Sequence, residues 1–517
     1  MSFGDVYKKM MLLAATVFFL TAAAQITPVR LQEFITTQKN TFSDEVVLFY
    51  KKINYATAWI EKKDSLNRQI FFNALSLAGG FGLQQTDYQY NFIASFHQKP
   101  NLQNVQDSLN AEVLITGAAL HFYSNIAYGN TQPIFGYDGL QYRPTCSSIA
   151  ALLAEYVSTN ILQLLITKLS PAIAEVTVLE NKIQQLQKQI KVENFSEVHI
   201  VSAKVSAGNN ALLVKLYQLG IAASATNIVA DTMVKQKLKE AQRQFNLPAD
   251  GVLRNAVLKE LNVPVATRIQ QLNKAVNYYR WLNCLVQNEP VIVVNIPAAL
   301  LKVYQKDKVL IAMRIIVGKK ATTTPTLTSR VNDVILYPYW HVPHSIAVKE
   351  LLPAIKRNPG FIDAGNYQVL NAAGRIVDPY AVNWHALSTV NFPYLLRQST
   401  GCDNALGLLK LNFYNPFSVY LHDTPNKNLF SLNKRYFSHG CMRMQKPLEL
   451  GHLVLKNNAI AIDTLEQKGC LRNQAPITVK ADVKMPVIVW YNPAGIDETG
   501  RVIFYEDVYD KFNWAKK

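Results

Sequence analysis

Ser438-His439-Gly440-Cys441-Met442-Arg443, with His422 of Tyr420-Leu421-His422-Asp423 nineteen residues before the cysteine, is the stretch on which the reading of this 517-residue chain turns. The thiolate is the nucleophilic form of cysteine, and its ordinary titration near ~8.5 calls for a neighbouring base or cation. A histidine that folds back onto the cysteine supplies one. Phe417-Ser418-Val419-Tyr420-Leu421 is β-branched and aromatic, so a strand ending at His422 is expected, followed by a turn at Asp423-Thr424-Pro425-Asn426. A bend at His439-Gly440 just ahead of Cys441 aims successive backbone N–H groups at one point, as a developing oxyanion requires.

These residues resemble the signature of the L,D-transpeptidases, cysteine enzymes that cross-link peptidoglycan. That signature is a histidine, a spacer of under twenty residues, Ser/Thr-His-Gly-Cys, an aliphatic residue and Arg, with Met442 a mild variant at the aliphatic position. The resemblance extends to Val293-Val294-Asn295-Ile296-Pro297, Leu301-Lys302-Val303-Tyr304, Val317-Gly318-Lys319 and Thr323-Thr324-Pro325-Thr326, which look like opening strands of that catalytic domain. Tyr337-Pro338-Tyr339-Trp340-His341-Val342-Pro343, Ser345-Ile346-Ala347 and Asn404-Ala405-Leu406-Gly407 are similar to the large subfamily with an N-terminal scaffold region. The fold this implies is multidomain α+β: a helical scaffold and a small helical module, then a β-rich catalytic domain with a capping insertion. Peptidoglycan stem peptides are the implied partners, and acylation by a carbapenem-type β-lactam is the implied side reaction.

The length suits two or three domains. A hydrophobic content of 49% with 17% charged residues argues for folded structure throughout and excludes a disordered scaffold. The net charge of +17 is spread along the chain without a nucleic-acid-binding tract, so anionic wall polymers or membrane surfaces are the expected attraction and no nucleic acid is expected. Lys8-Lys9, the apolar run from Met10 to Leu20 and Ala22-Ala23-Ala24 read as a signal peptide over residues 1–24, which predicts export to the periplasm or cell envelope. Five cysteines, Cys146, Cys284, Cys402, Cys441 and Cys470, leave at least one unpaired within the chain, and a catalytic thiol is the natural occupant. Whether the other four pair is left open. No clustered Cys/His spacing suggests zinc, and neither metal nor cofactor is expected.

Residues 25–225 read as a helical scaffold. Val176, Leu179, Ile183, Leu186 and Ile190 alternate spacings of three and four, which marks one amphipathic helix. Residues 226–265 resemble a short helical peptidoglycan-binding module, with Gln242, Leu247, Asp250 and Gly251 in its register. Ala241 and Asn246 depart from that pattern, and a purely structural role weighs equally. A linking helix is expected over 266–288 and the catalytic domain over 289–480, with strands from Val291 and a hairpin tip at Asp307-Lys308. A long, aromatic-rich, less regular insertion over about 341–400 is expected to cap the substrate. Pro486-Val487-Ile488-Val489-Trp490-Tyr491 and Arg501-Val502-Ile503-Phe504 are expected to form a hairpin-like C-terminal extension over 481–517 that returns to the scaffold.

The expected chemistry is acyl transfer, with Cys441 as nucleophile and His422 as proton donor and acceptor. A side chain or backbone carbonyl at Asp423 orients the imidazole. His439 shapes the turn, and the N–H groups of His439, Gly440 and Cys441 are the oxyanion-hole candidates. Arg443 is read as a structural ion-pair partner in preference to a substrate-carboxylate clamp. Three rivals are set against this: a papain-like endopeptidase, in which the cysteine precedes the histidine; a metal hydrolase at His341, His344 and His385, where Pro343 breaks helical spacing; and a non-catalytic wall-binding protein on the same fold. The acceptor, whether stem peptide, protein amine or water, is left open, as is oligomeric state.

Overall fold

The computed structural model describes residues 26–514, apart from residues 39–40, 145, 193–194, 202–203, 227–229 and 513. The signal-peptide reading of residues 1–24 lies outside the described residues. Among those described, no single helix is long and apolar enough to cross a membrane.

The N-terminal half is helical. Asn104 accepts from the N–H of Asp107 at 2.8 Å and so caps the helix Val105–Tyr128. That helix is apolar on nearly every side, and Trp59 and Phe71 pack with its Phe122 and Tyr123 in a first core. Glu112 is fully buried there because the N–H groups of Ala58, Trp59 and Ile60 all donate to its carboxylate, at 2.7, 3.1 and 3.2 Å. A second core joins the helices Ala174–Ile190, Asp231–Gln244 and Val265–Asn288. The expected apolar stripe is present: Val176, Leu179, Ile183 and Leu186 are all buried. Arg280 and Arg268 cross this core fully buried, each held by a carboxylate at 2.7 Å, Glu180 and Glu260 respectively.

The second half is β-rich. The strands, in chain order, are β1 (Tyr137–Asp138), contributed by the N-terminal half, then β2 (Val291–Asn295), β3 (Leu300–Gln305), β4 (Lys308–Gly318), β5 (Leu327–Leu336), β6 (Trp340–His341), β7 (Tyr367–Leu370), β8 (Ile376–Val377) and β9 (Leu395–Gln398). Then follow β10 (Leu409–Phe413), β11 (Leu421–His422), β12 (Tyr436–Ser438), β13 (Met442–Met444), β14 (Ile477–Lys480), β15 (Pro486–Trp490), β16 (Ala494–Ile496) and β17 (Val502–Phe504). The central sheet runs β1-β5-β10-β11-β13-β4-β3-β2-β15, and β15 also pairs with β5, so the path closes on itself. The long strands β4 and β5 each serve two halves of this closed sheet, whose interior is filled by Leu301, Ile315, Leu411, Leu421, Met442 and Val487.

Three expectations are corrected. Pro486–Trp490 is a central strand, parallel to β2 and antiparallel to β5; only β16 and β17 form the terminal hairpin, which packs on the helices Ala174–Ile190 and Val265–Asn288. Local alternation marks a strand but does not name its partner. The insertion is not irregular: β6, β9, β7 and β8 form a four-stranded antiparallel sheet with its own core around Trp384, Ile355, Leu352 and Val369. The strand expected over Phe417–Leu421 shrinks to Leu421–His422, because the Asn415 side chain captures the N–H groups of Phe417 and Val419 at 3.1 Å each, and Ser418 takes φ 55°.

Candidate active site

The pairing of three short strands assembles the site. Lys410 on β10 is the cross-strand partner of His422 on β11, and His422 is the partner of Arg443 on β13. Cross-strand partners share a face, so Lys410, His422 and Arg443 form one row. The alternate residues Leu409, Leu411, Leu421, Met442 and Met444 are buried in the core on the other face. Cys441 lies beside this row at the entrance to β13, where the Met442 N–H donates to the Tyr420 carbonyl at 3.0 Å.

The nucleophile turn is braced from within. Ser438 Oγ donates to the Cys441 carbonyl at 2.5 Å and accepts from the Gly440 N–H at 3.2 Å. The Gly440 N–H is therefore engaged inside the turn, which leaves those of His439 and Cys441 from the oxyanion-hole set. Gly440 sits at φ 118°, where an L side chain is strained, although a Cβ there would meet nothing closer than 3.5 Å. Backbone conformation, not space, selects glycine at this position. Buried Thr324 donates to the Gly440 carbonyl at 2.8 Å and accepts from Gly318 N–H at 2.9 Å, clamping the turn to the end of β4.

His422 is buried, and its Nδ1 lies 2.6 Å from the backbone carbonyl of Asp423. A carbonyl only accepts, so Nδ1 carries the proton and Nε2 presents its lone pair. Burial, then the Arg443 guanidinium, push the imidazole down to about 3, with the Asp423 carbonyl opposing and Lys410 and Lys427 adding to the fall. The imidazole is thus neutral at physiological pH. The Asp423 carboxylate does different work: it accepts from the Leu408 N–H at 2.9 Å and pairs with Lys427. Gly407, at φ 60°, permits that approach, since a Cβ there would come within 2.3 Å of Asp423 Oδ2.

Burial pushes the Cys441 thiol up, while the Tyr420 N–H and hydroxyl, Lys410 and Arg443 pull it back. Tyr420 and His422 meet edge to face at 5.6 Å, and the Lys410 ammonium sits 4.0 Å from the centre of the Tyr420 ring. Arg443 corrects its expected role, for among the described residues it has no carboxylate partner, and burial lowers it against the pull of Cys441. His439 is engaged by the capping insertion, its Nε2 2.7 Å from Glu350. Sequence reasoning did not single out Lys410 or Tyr420. The available signal was alternation: Leu409-Lys410-Leu411-Asn412-Phe413 places a lysine opposite a buried apolar face.

The remaining cysteines pair as Cys146–Cys284 and Cys402–Cys470, and Cys441 is the free thiol. Among the described residues one group, His452, Asp463 and Glu466, brings metal-competent atoms within 4.8 Å of one another; it lies on the helices Pro447–Val454 and Ile460–Lys468 and contributes nothing to the Cys441 row.

Residues 289–489 match the L,D-transpeptidase catalytic domain family, and residues 44–177 match a scaffold domain family. The chain carries an L,D-transpeptidase catalytic domain joined to a scaffold domain. A Haemophilus influenzae protein named "Putative L,D-transpeptidase" is 33% identical over 218 residues, which are 42% of this chain and 44% of that protein. The matched part thus spans less than half the length of the curated relative. Among solved structures, an L,D-transpeptidase from Mycobacterium smegmatis is similar at 16% identity, covering 39% of this chain and 58% of that one, with a TM-score of 0.17. One from Stackebrandtia nassauensis is similar at 12% identity over 58% of this chain and 98% of that one, with a TM-score of 0.22. The L,D-transpeptidase LdtMt1, in complex with imipenem, is similar at 15% identity over 39% and 58%, with a TM-score of 0.18. Likenesses of this degree carry no functional weight.

Proposed function

We propose that this protein is a cell-envelope L,D-transpeptidase that forms 3→3 cross-links between peptidoglycan stem peptides through a Cys441 thioester. The observation that carries the reading is the unpaired Cys441 thiol beside neutral His422, in a row of cations that form no ion pair among the described residues. Cys441 Sγ attacks the donor carbonyl while His422 Nε2 takes the thiol proton. The oxyanion meets the N–H groups of His439 and Cys441. His422 then returns the proton to the departing amine of the terminal D-amino acid, leaving the thioester. An acceptor amine repeats these steps in reverse, losing its proton to His422 and expelling the thiolate.

The neutral resting imidazole supports a base that takes the proton during attack, not a preformed thiolate–imidazolium pair. The capping insertion, joined to the nucleophile turn through Glu350 of its helical segment and His439, suits a cover over bound peptide. Two disulfides favour an oxidising compartment, in keeping with export. Incubating the purified protein with a tetrapeptide-stem muropeptide tests the reading. Dimer bearing a 3→3 link, with release of one D-amino acid per cross-link, is the expected product by mass spectrometry. Release without dimer would place water in the acceptor's role, and absence of both would refute the activity.

A further inference from the structure

Lys410 stands out as a cation in the active-site row for which the transfer steps above name no task. It occupies the middle of β10, half-buried, with its backbone paired to His422 on one side and Ile335 on the other. No carboxylate lies within ion-pairing distance of it among the described residues. The Asp333 carboxylate on β5 accepts from Asn412 at 2.8 Å and favours the charged ammonium only from beyond ion-pairing distance. An ammonium withdrawn from water without an anion is costly unless something in the site becomes negative. Lys410 Nζ sits 4.0 Å from the centre of the Tyr420 ring, and the Tyr420 carbonyl accepts from the N–H of Met442, the residue next to Cys441, at 3.0 Å. The ammonium therefore lies over the ring of a residue that packs beside Cys441, close enough to act on a charge formed at its sulfur.

We propose that Lys410, with Arg443, is the counter-charge of the Cys441 thiolate, a task that thiol enzymes of the cysteine–histidine type assign to an imidazolium. The proton still passes from Sγ to His422 Nε2 during attack, and the sulfur lone pair so exposed is stabilised by the two cations of the β10–β11–β13 row beside it. The groups around the sulfur are Lys410 from β10, Tyr420 just ahead of β11, His422 from β11 and Arg443 from β13. From the cap, His341 on β6 feels Lys410, and Glu350 is engaged by His439. Asp333 on β5 also acts on Lys410, so the thiolate is the second negative charge that Lys410 meets. The proposal rests on the thiol-transfer reading above and gives Lys410 a role in that same site.

The test is the pH dependence of Cys441 alkylation by iodoacetamide in the full chain, for the wild type, Lys410→Met and Lys410→Arg, with melting temperature measured alongside. Lys410→Met should move the alkylation midpoint up by about one pH unit and slow alkylation at pH 7 about tenfold, since one unit is a factor of ten. Lys410→Arg should restore most of both. If Lys410→Met does not fold, Lys410→Gln takes its place. An unchanged midpoint in a folded variant, with or without a lower melting temperature, overturns the proposal and leaves Lys410 a packing residue. Failure of the transpeptidase reading is seen separately, in a wild-type protein whose Cys441 alkylates normally but makes no product from muropeptides.

Discussion

Two regions of this chain carry recognisable motifs, and they treat their polar groups in opposite ways. In the small helical module, every polar side chain of the motif is consumed by its own fold. Gln242 donates to Asp250 Oδ1 and to the Val252 carbonyl at 3.0 Å each and accepts from the Gly251 N–H at 2.7 Å, while Asp250 also accepts from the Val252 N–H and pairs with Arg254. In the β10–β11–β13 row, Lys410 and Arg443 form no ion pair among the described residues, His422 keeps a free Nε2 lone pair and Cys441 stays outside both disulfides. A motif whose groups satisfy one another specifies a turn. A motif that leaves charges and lone pairs directed at a common point specifies chemistry. The structural reading of the module, held level with glycan binding on sequence grounds, is the one its hydrogen bonds favour.

The contrast predicts that substitutions in the row change rate and substitutions in the module change stability. His422→Ala should slow acylation of Cys441 by roughly 10²–10⁴-fold, the range expected when a general base is removed. Stopped-flow acylation by a carbapenem measures it, and a rate near that of the wild type would move the base elsewhere. Gln242→Leu should cost about 1–3 kcal/mol of stability, because the Gly251 N–H loses its acceptor in a buried position. Acylation of the folded variant should be unaffected, and a selective loss of acylation or of wall binding without destabilisation would break the comparison. A smaller effect concerns pH. His422 is held at about 3 in the fold and titrates near 6.5 when unfolded, so between those values the unfolded chain binds more protons. The melting temperature should therefore fall as pH drops from about 6.5 towards 3, and His422→Gln should flatten that part of the profile. A slope unaltered by the substitution would mean other groups carry it.

Much of the fold and part of the site could be read without coordinates, for physical reasons that differ from residue to residue. The helix Ala174–Ile190 announces itself because its apolar spacing is a local property. The Cys441 turn is equally local, since Ser438 and Gly440 act on atoms within three residues. Lys410 and Tyr420 escaped notice because their meaning depends on register between strands, which no single strand encodes. The Cys146–Cys284 and Cys402–Cys470 pairs close 138- and 68-residue separations and are fixed by the assembled fold. Phe417–Leu421 shows composition misleading: strand-forming residues yield to one asparagine that satisfies their backbone instead.

Intact-protein mass spectrometry after exposure to a carbapenem tests the central claim most directly, with wild type and Cys441→Ser compared in parallel and both shown folded by thermal melting. The account predicts that the wild type gains the mass of one β-lactam on the peptide bearing Cys441 and that Cys441→Ser gains none, because a hydroxyl beside a weakly basic imidazole is a far poorer nucleophile. Equal labelling of the two proteins, or label on any other residue of the wild type, would contradict it.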